Sequence, residues 1–334
     1  MAVEKLPTNP TEFTDSDWKT LFTLRSLGSC LLVTGKKHPS SLWSIWPAFD
    51  LSNFKDREDF VWQIPNVSVE INVESTFSKV INNYSQSGYS TTSATIGVPG
   101  IASGTVEHSE THSHSESFSK ETYYSTAMVR VPQLEIAFVE SKLKLAESCI
   151  DELNKALDKQ THTDQYTGLL AWLQKYGYWV CTKLQLGGLY YATNENEVTS
   201  MAQANCHSED TKVSFKADLS AFDVPVSGGA SHDQGSKTCK SLGVEIGNAS
   251  LSIQLIGGDT AYMKDYPKWA GSMAGNYASW HIINTETLVP IINFIPDQKS
   301  RFQVASLIQR FPSTSYNAQY IQTILDEQQK LLTD

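Results

Sequence analysis

Long apolar runs are missing from this 334-residue chain. The longest, Leu288 to Pro296, is about half of the ~18–20 residues that a membrane-spanning helix needs, which excludes a transmembrane helix. Positive charge is scarce as well. Lys and Arg number 26 against 36 Asp and Glu, and the net charge of −10 excludes a protein that tracks nucleic-acid phosphates or is drawn to anionic lipid by bulk charge. Met1 to Phe13 contain no basic stretch followed by an apolar one, so no signal peptide is read there. The expectation is a soluble monomer, cytoplasmic or exported unconventionally. Cysteine is sparse: Cys30, Cys149, Cys181, Cys206 and Cys239 are odd in number and widely spaced, without a CxxC. That pattern indicates neither a zinc site nor a disulfide framework. No GxGxxG, P-loop, GxSxG or HExxH motif occurs, and Gly271-Ser272-Met273-Ala274-Gly275 sets its serine one place too early for a nucleophile elbow. No catalytic residue, metal or cofactor is expected.

The chain is rich in core-forming residues, with 40% hydrophobic content and 8 Trp, 14 Tyr and 13 Phe, so it can bury a sizeable interior. Leu21 to Val33 reads as a buried strand or turn pair. Val69, Ile71 and Val73 alternate with Glu70, Asn72 and Glu74, which predicts a strand near 67–80. Between Ser85 and Thr126 the composition shifts to Ser, Thr and Gly, a polar segment outside the core. Apolar spacing of three or four from Val139 through Leu143, Ile150 and Leu157 predicts a helix over 138–158, with a second over Gln165 to Lys175. Trp179 to Ala192 reads as a strand interrupted by Gly187-Gly188, where paired glycines mean a bend, a bulge or a close backbone approach. A second polar, Ser-rich segment fills 194–248, followed by an alternating strand over Ser250 to Ile256. After residue 295 two short helical stretches flank Pro312.

Tyr176-Gly177-Tyr178-Trp179-Val180, followed by Gly187-Gly188, resembles the signature of membrane attack complex/perforin (MACPF) domains, an aromatic-Gly-Thr/Ser-His-aromatic run with a Gly-Gly pair at this spacing. Tyr178, Trp179 and Val180 depart from the Thr/Ser, His and aromatic positions of that run. Ile256-Gly257-Gly258-Asp259, then Trp269, Trp280 and Leu288 to Ile291, resemble the closing segment of these domains. The resemblance covers roughly residues 20–295. It implies an α+β fold with a bent, twisted four-stranded antiparallel sheet, flanked by two helical clusters that can become transmembrane β-hairpins. The implied organisation is an N-terminal segment 1–20, a MACPF-like domain 21–295 with hairpin inserts 84–126 and 194–248, and a C-terminal helical tail 296–334. The implied function is a pore-forming toxin or cytolytic defence protein that assembles as a homo-oligomeric ring on a target-cell membrane. A non-lytic MACPF-fold binding or signalling protein is the alternative.

A spanning β-strand needs ~9–11 residues of alternating apolar and polar side chains. In the second insert Val213, Phe215, Ala217 and Leu219 alternate with polar residues, Gly228-Gly229 offers a turn, and Leu242, Val244 and Ile246 alternate on the return. These seven apolar positions are the membrane-inserting candidates, set against an ordinary surface hairpin or amphipathic segment. The first insert has Ala94, Ile96 and Val98 but also His108, His112 and His114 among Ser, Thr and Glu. Those histidines read as a pH trigger, as a metal site through the i, i+4 pair His108 and His112, or as a plain solvated linker. Gly187-Gly188 reads as a hinge for straightening the sheet or as a static packed bulge. Many MACPF relatives carry a separate lipid-binding module beyond this point, and none is read here, so targeting falls to the tip loops or to a separate membrane-targeting partner protein.

Overall fold

The computed structural model describes residue 7 and residues 9–32, 43–66, 69–77, 79–86, 88, 117, 119–221, 232–311, 316 and 318–333. Two long antiparallel strands, β3 (Glu121–Phe138) and β4 (Trp179–Val198), form its centre and pair from Glu121 opposite Val198 to Ala137 opposite Lys183. Each flank is filled by two short strands laid end to end. β1 (Phe60–Gln63) and β2 (Asn72–Thr76) both pair with β3, while β5 (Ile253–Ile256) and β6 (His281–Pro290) both pair with β4. The six strands therefore occupy four positions of one antiparallel sheet, the α+β arrangement expected.

The edge strands break at one level. β1 and β2 part opposite residues 129–134 of β3, where the register shifts between Pro132 and Leu134, and β5 and β6 part opposite Gly187-Gly188 of β4. A proline, an inserted residue and two glycines on facing strands are what a sheet needs to bend sharply.

Packing differs above and below this line. Toward the Phe138 end one face carries the main core, where α1 (Asp15–Leu24), α3 (Glu147–Leu157), α4 (His162–Tyr176), α8 (Gln298–Arg310) and α9 (Ala318–Thr333) gather. Trp18, Phe22, Phe60 and Phe138 interlock there at ring separations of 5.0–6.3 Å. The other face at that end is wet, with Lys183 between Glu135 and Glu286. Toward the Glu121 end both faces are covered: α2 (Lys79–Gln86) reaches Thr126 through Asn82, and α5 (Met201–Ser220) reaches the next residue, Ser125, through Ser208. Adjacent strand residues point to opposite faces, so the two helices sandwich the sheet.

Several expectations change. Of the strand or turn pair expected over Leu21 to Val33, the described residues 21–32 form no strand: α1 ends at Leu24, a turn follows, and an isolated bridge stands at Leu31. Its start is marked by a capping box in which Thr14 and Asp17 exchange hydrogen bonds. The helix expected over 138–158 begins at Glu147, because β3 runs to Phe138 and a short 3-10 turn intervenes. The strand near 67–80 spans Asn72–Thr76. Residues 121–126, assigned by composition to the polar insert, form the start of β3, and β4 extends past Ala192 to Val198.

Candidate membrane-insertion site

The signature residues form a buried corner. Gly177 ends α4 at φ 103°, a conformation that favours glycine, and a Cβ there would lie 2.6 Å from that of Cys30. Tyr178 N donates to Leu31 O at 2.8 Å, and Tyr178 O accepts from Ile291 N at 2.9 Å and from the Tyr316 hydroxyl at 2.8 Å. Trp179 packs edge-on to Tyr316. Tyr176, Tyr178 and Trp179 are all buried. Where the MACPF run has its Thr/Ser-His pair, this chain uses two large aromatics as packing residues that bind the N-terminal segment, β4 and the tail into one corner.

The glycine pair and the closing motif meet at the bend. A Cβ on Gly187 would sit 2.2 Å from Val131 O, and one on Gly188 would sit 2.3 Å from Met273 Sδ and 2.8 Å from the Trp269 ring. Gly257 would collide with Gly187 O, and Gly258 with the Trp269 indole. Trp269, on α7 (Tyr266–Gly271), is fully buried and donates through Nε1 to Gly257 O at 2.9 Å. Asp259 caps a 3-10 turn through Ala261 N, its own N–H donates to Ser272 Oγ at 2.7 Å, and the Trp280 indole donates to Met273 O at 2.8 Å. Residues 257–280 thus form a plug seated on backbone that only glycine leaves open.

Past Val198, the described residues of the second insert are mainly helical. Val213, Phe215, Ala217 and Leu219 lie on α5, where their period of two gives way to the helical spacing of what is buried: Ala204, Cys206, Asp210, Thr211, Ser214, Phe215 and Leu219. Phe215 and Leu219 face the core, with the Phe215 ring 5.9 Å from Tyr190, itself 5.5 Å from Trp269. Val213 is half-buried and Ala217 exposed. Leu242, Val244 and Ile246 follow α6 (His232–Ser241) in turns, packed around Cys206 and Cys239.

Those two cysteines correct the reading of the thiols. Cys206 on α5 and Cys239 on α6 form a disulfide, while Cys30, Cys149 and Cys181 are free and buried. Spacing could not show a bond between residues 33 apart. Closing a loop of that length removes about 3–4 kcal/mol of chain entropy from the unfolded state in the simplest account.

Apart from Phe215, Leu219 and Ala204, the last packed with Tyr123, Val198 and Phe77, the seat of α5 on the sheet is polar. Ser208 Oγ shares hydrogen bonds with Ser75, Tyr123 and Ser125 at 2.8–3.2 Å, and Asn194 Nδ2 donates to Thr211 Oγ1 at 3.2 Å. Asp210, 6% exposed, gathers with one carboxylate oxygen the N–H groups of Gly247, Asn248 and Ala249 at 2.8, 3.0 and 3.2 Å, together with the Ser214 hydroxyl. It fastens α5 to the chain returning toward β5. Sequence reading missed Ser208 and Asp210, although Ser208, Thr211 and Ser214 follow a helical three-residue spacing.

His108, His112 and His114, like Ala94, Ile96 and Val98, lie outside the described residues. Among those described, a different histidine is poised to sense acid. Burial pushes the pKa of His207 on α5 below the ordinary value, against a smaller upward pull from Asp210, and its Nδ1 has no hydrogen-bond partner among the described residues. His281 is lowered by burial and by Arg25. An unfolded histidine takes up its proton near pH 6.5 and these do so only lower, so stability is full above about 6.5 and is lost as pH falls through their folded values. Asp218, raised by burial, acts in the opposite sense, but nearer the carboxylate range. The urea midpoint is expected to fall between pH 7.5 and 5.5, and His207→Gln to flatten part of that fall. An unchanged slope in the variant would remove His207 as a contributor.

A bent antiparallel sheet, a glycine bend closed by a plug, and a polar-seated helical insert define the MACPF class of fold. The chain belongs to the fungal MACPF-like domain family, whose model matches residues 58–304. Among solved structures it is similar to GNIP1Aa from Chromobacterium piscinae, with a TM-score of 0.53 and 14% identity over 88% of this chain and 57% of that one. It is also similar to a putative cell invasion protein with a MAC/perforin domain from Bacteroides thetaiotaomicron, with a TM-score of 0.43 and 15% identity over 92% of this chain and 61% of that one. Astrotactin-2, described as a vertebrate-specific perforin-like membrane protein involved in neuronal development, matches with a TM-score of 0.39 and 11% identity over 86% of this chain and 44% of that one. The chain thus spans less than two thirds of the length of these proteins. A search of curated proteins gives no match.

Proposed function

We propose that the chain is a pore-forming protein that assembles into a homo-oligomeric ring on a target membrane and inserts its second insert as a β-hairpin. The observation that carries this reading is the contrast between two helices. α4 is held by Tyr166, Leu169, Trp172, Leu173 and Tyr176, all buried apolar or aromatic side chains. α5 buries mostly small and polar groups, and water can replace its hydroxyl hydrogen bonds at little net cost. Detaching α4 would expose a core, whereas detaching α5 exposes two large apolar side chains. The hydrophobic row released, Val213 to Leu219, then finds lipid in place of protein, and a closed barrel satisfies the backbone. No helix of the described residues is long and apolar enough to cross a membrane. The reading is non-catalytic, and it places the active protein outside a reducing cytosol, where disulfides persist.

Cross-linking α5 to the sheet tests it. In Ser125→Cys/Ser208→Cys, oxidised to join the two new thiols, dye release from sterol-containing vesicles is expected to be lost and to return on reduction, with the reduced parent as control. Leakage that persists with α5 fastened to β3 would sink the reading. A non-lytic role predicts no leakage from the parent either.

A further inference from the structure

We propose that the Cys206–Cys239 disulfide is kept on insertion and sets the register of the second hairpin; this rests on the pore-forming reading above. The two Cα atoms are 5.4 Å apart across α5 and α6. That separation also suits directly opposite residues of an antiparallel strand pair, so both helices can become strands without breaking the bond. Once 206 faces 239, every other pairing follows. Reading the sequence outward, Lys212 faces Asp233 and Ser214 faces Ser231, while Phe215 faces Ala230 and Leu219 faces Val226. One face of both strands is then polar, with Lys212 opposite Asp233, and the other sets Val213, Phe215, Ala217 and Leu219 opposite His232, Ala230, Gly228 and Val226, apolar except at His232 near its end. The chain reverses over residues 221–224, and Pro225 begins the return strand, a position that proline tolerates.

The competing register, turning at Gly228-Gly229, pairs Val213 with Val244 and Phe215 with Leu242, but it is out of step with the β4–β5 pairing, in which Leu189 faces Ile256 just as Cys206 would face Cys239. It sets Ala217 opposite Lys240 and Leu219 opposite Thr238, placing a cation on the lipid face. It also sets Cys206 opposite residue 251, twelve residues beyond its bonded partner, so the disulfide would have to break first. The cluster of Leu242, Val244 and Ile246 around the disulfide points the same way. These residues pack beside the bond in the soluble state and remain beside it, on the aqueous side of the membrane, in the inserted one.

The register can be read by cross-linking in the full chain with its native disulfide intact. Ser214→Cys/Ser231→Cys reports the proposed pairing and Lys216→Cys/Ser241→Cys the alternative. Each variant is added without reductant to vesicles of phosphatidylcholine, sphingomyelin and sterol, and dye release is recorded. The vesicle-bound protein is then oxidised and its disulfides are mapped by mass spectrometry. The expected result is release without reductant, a 214–231 link in large excess over 216–241, and an intact 206–239 bond. Release that requires reduction, or a dominant 216–241 link, overturns the register while leaving pore formation standing. Failure of the parent to release dye, oxidised or reduced, even when tethered to the vesicles through a chelating lipid in place of a targeting partner, overturns the pore-forming reading itself and the register with it.

Discussion

Trp269→Ala is expected to destabilise the protein by about 3–5 kcal/mol, the range for removing a large aromatic from a packed core. The indole is fully buried, packs on Tyr190 and Tyr266, and donates to Gly257 O. Its ring also lies where a Cβ on Gly188 would be, so its loss opens a void at the sheet's sharpest bend. Trp269→Phe separates volume from hydrogen bonding. It keeps most of the ring contact and gives up the bond to Gly257, so a smaller loss of about 1–2 kcal/mol is expected. Urea unfolding followed by circular dichroism measures both. Equal losses in the two variants would show that the hydrogen bond, not the packing, holds the plug.

The same residues bear on the choice left open by the glycine pair. As the structure stands, Gly187 and Gly188 are packed to contact by Val131 O, Met273 and Trp269, which is the static reading. A hinge needs that packing to be removable, and for Gly188 it comes from one excursion, residues 257–280, inserted between β5 and β6, whereas Gly187 packs on the backbone of β3. Straightening the sheet would therefore begin with the plug. Valine at either glycine collides with backbone or with the plug before any hinge motion is tested, so variants of the plug probe the bend more cleanly than variants of the glycines.

How much of this was legible in the sequence differs by element. β4 and α4 were visible because their apolar residues match what they bury, whereas the start of β3 was hidden by the polar composition of residues 121–126. Residues 21–24 misled because their low charge resembled a buried strand, while the signal of a helix lay upstream in the Thr14–Asp17 cap. The second insert carries two patterns at once. Odd positions 213–219 alternate as a strand would, while the residues buried in the soluble fold, from Ala204 through Thr211 to Leu219, step as a helix does. Under the proposed function the segment serves two states, and neither period alone describes it. The disulfide and the Asp210 contacts join residues more than 30 positions apart, and local spacing holds no record of them.

Asp210→Ala is expected to loosen α5. One carboxylate oxygen serves the N–H groups of Gly247, Asn248 and Ala249 and the Ser214 hydroxyl, at a site almost closed to water. Removing it strands several buried donors, each costing about 1–3 kcal/mol if left unpaired, so a total of about 3 kcal/mol or more is expected before relaxation. The cost falls on a segment already held mostly by polar contacts, so it should appear locally. Amide exchange should quicken across α5 and residues 247–249 while α4 keeps its protection. If the helix must leave the sheet for the hairpin to form, the ground state is raised and the release step is shortened. Vesicle leakage should then begin sooner at equal protein concentration, with stability lowered. Asp210→Asn retains an acceptor oxygen without its charge and should fall between the two. Faster exchange with slower leakage would show that the Asp210 contacts serve the inserted state as well, and that α5 does not part from residues 247–249 on the way to the pore.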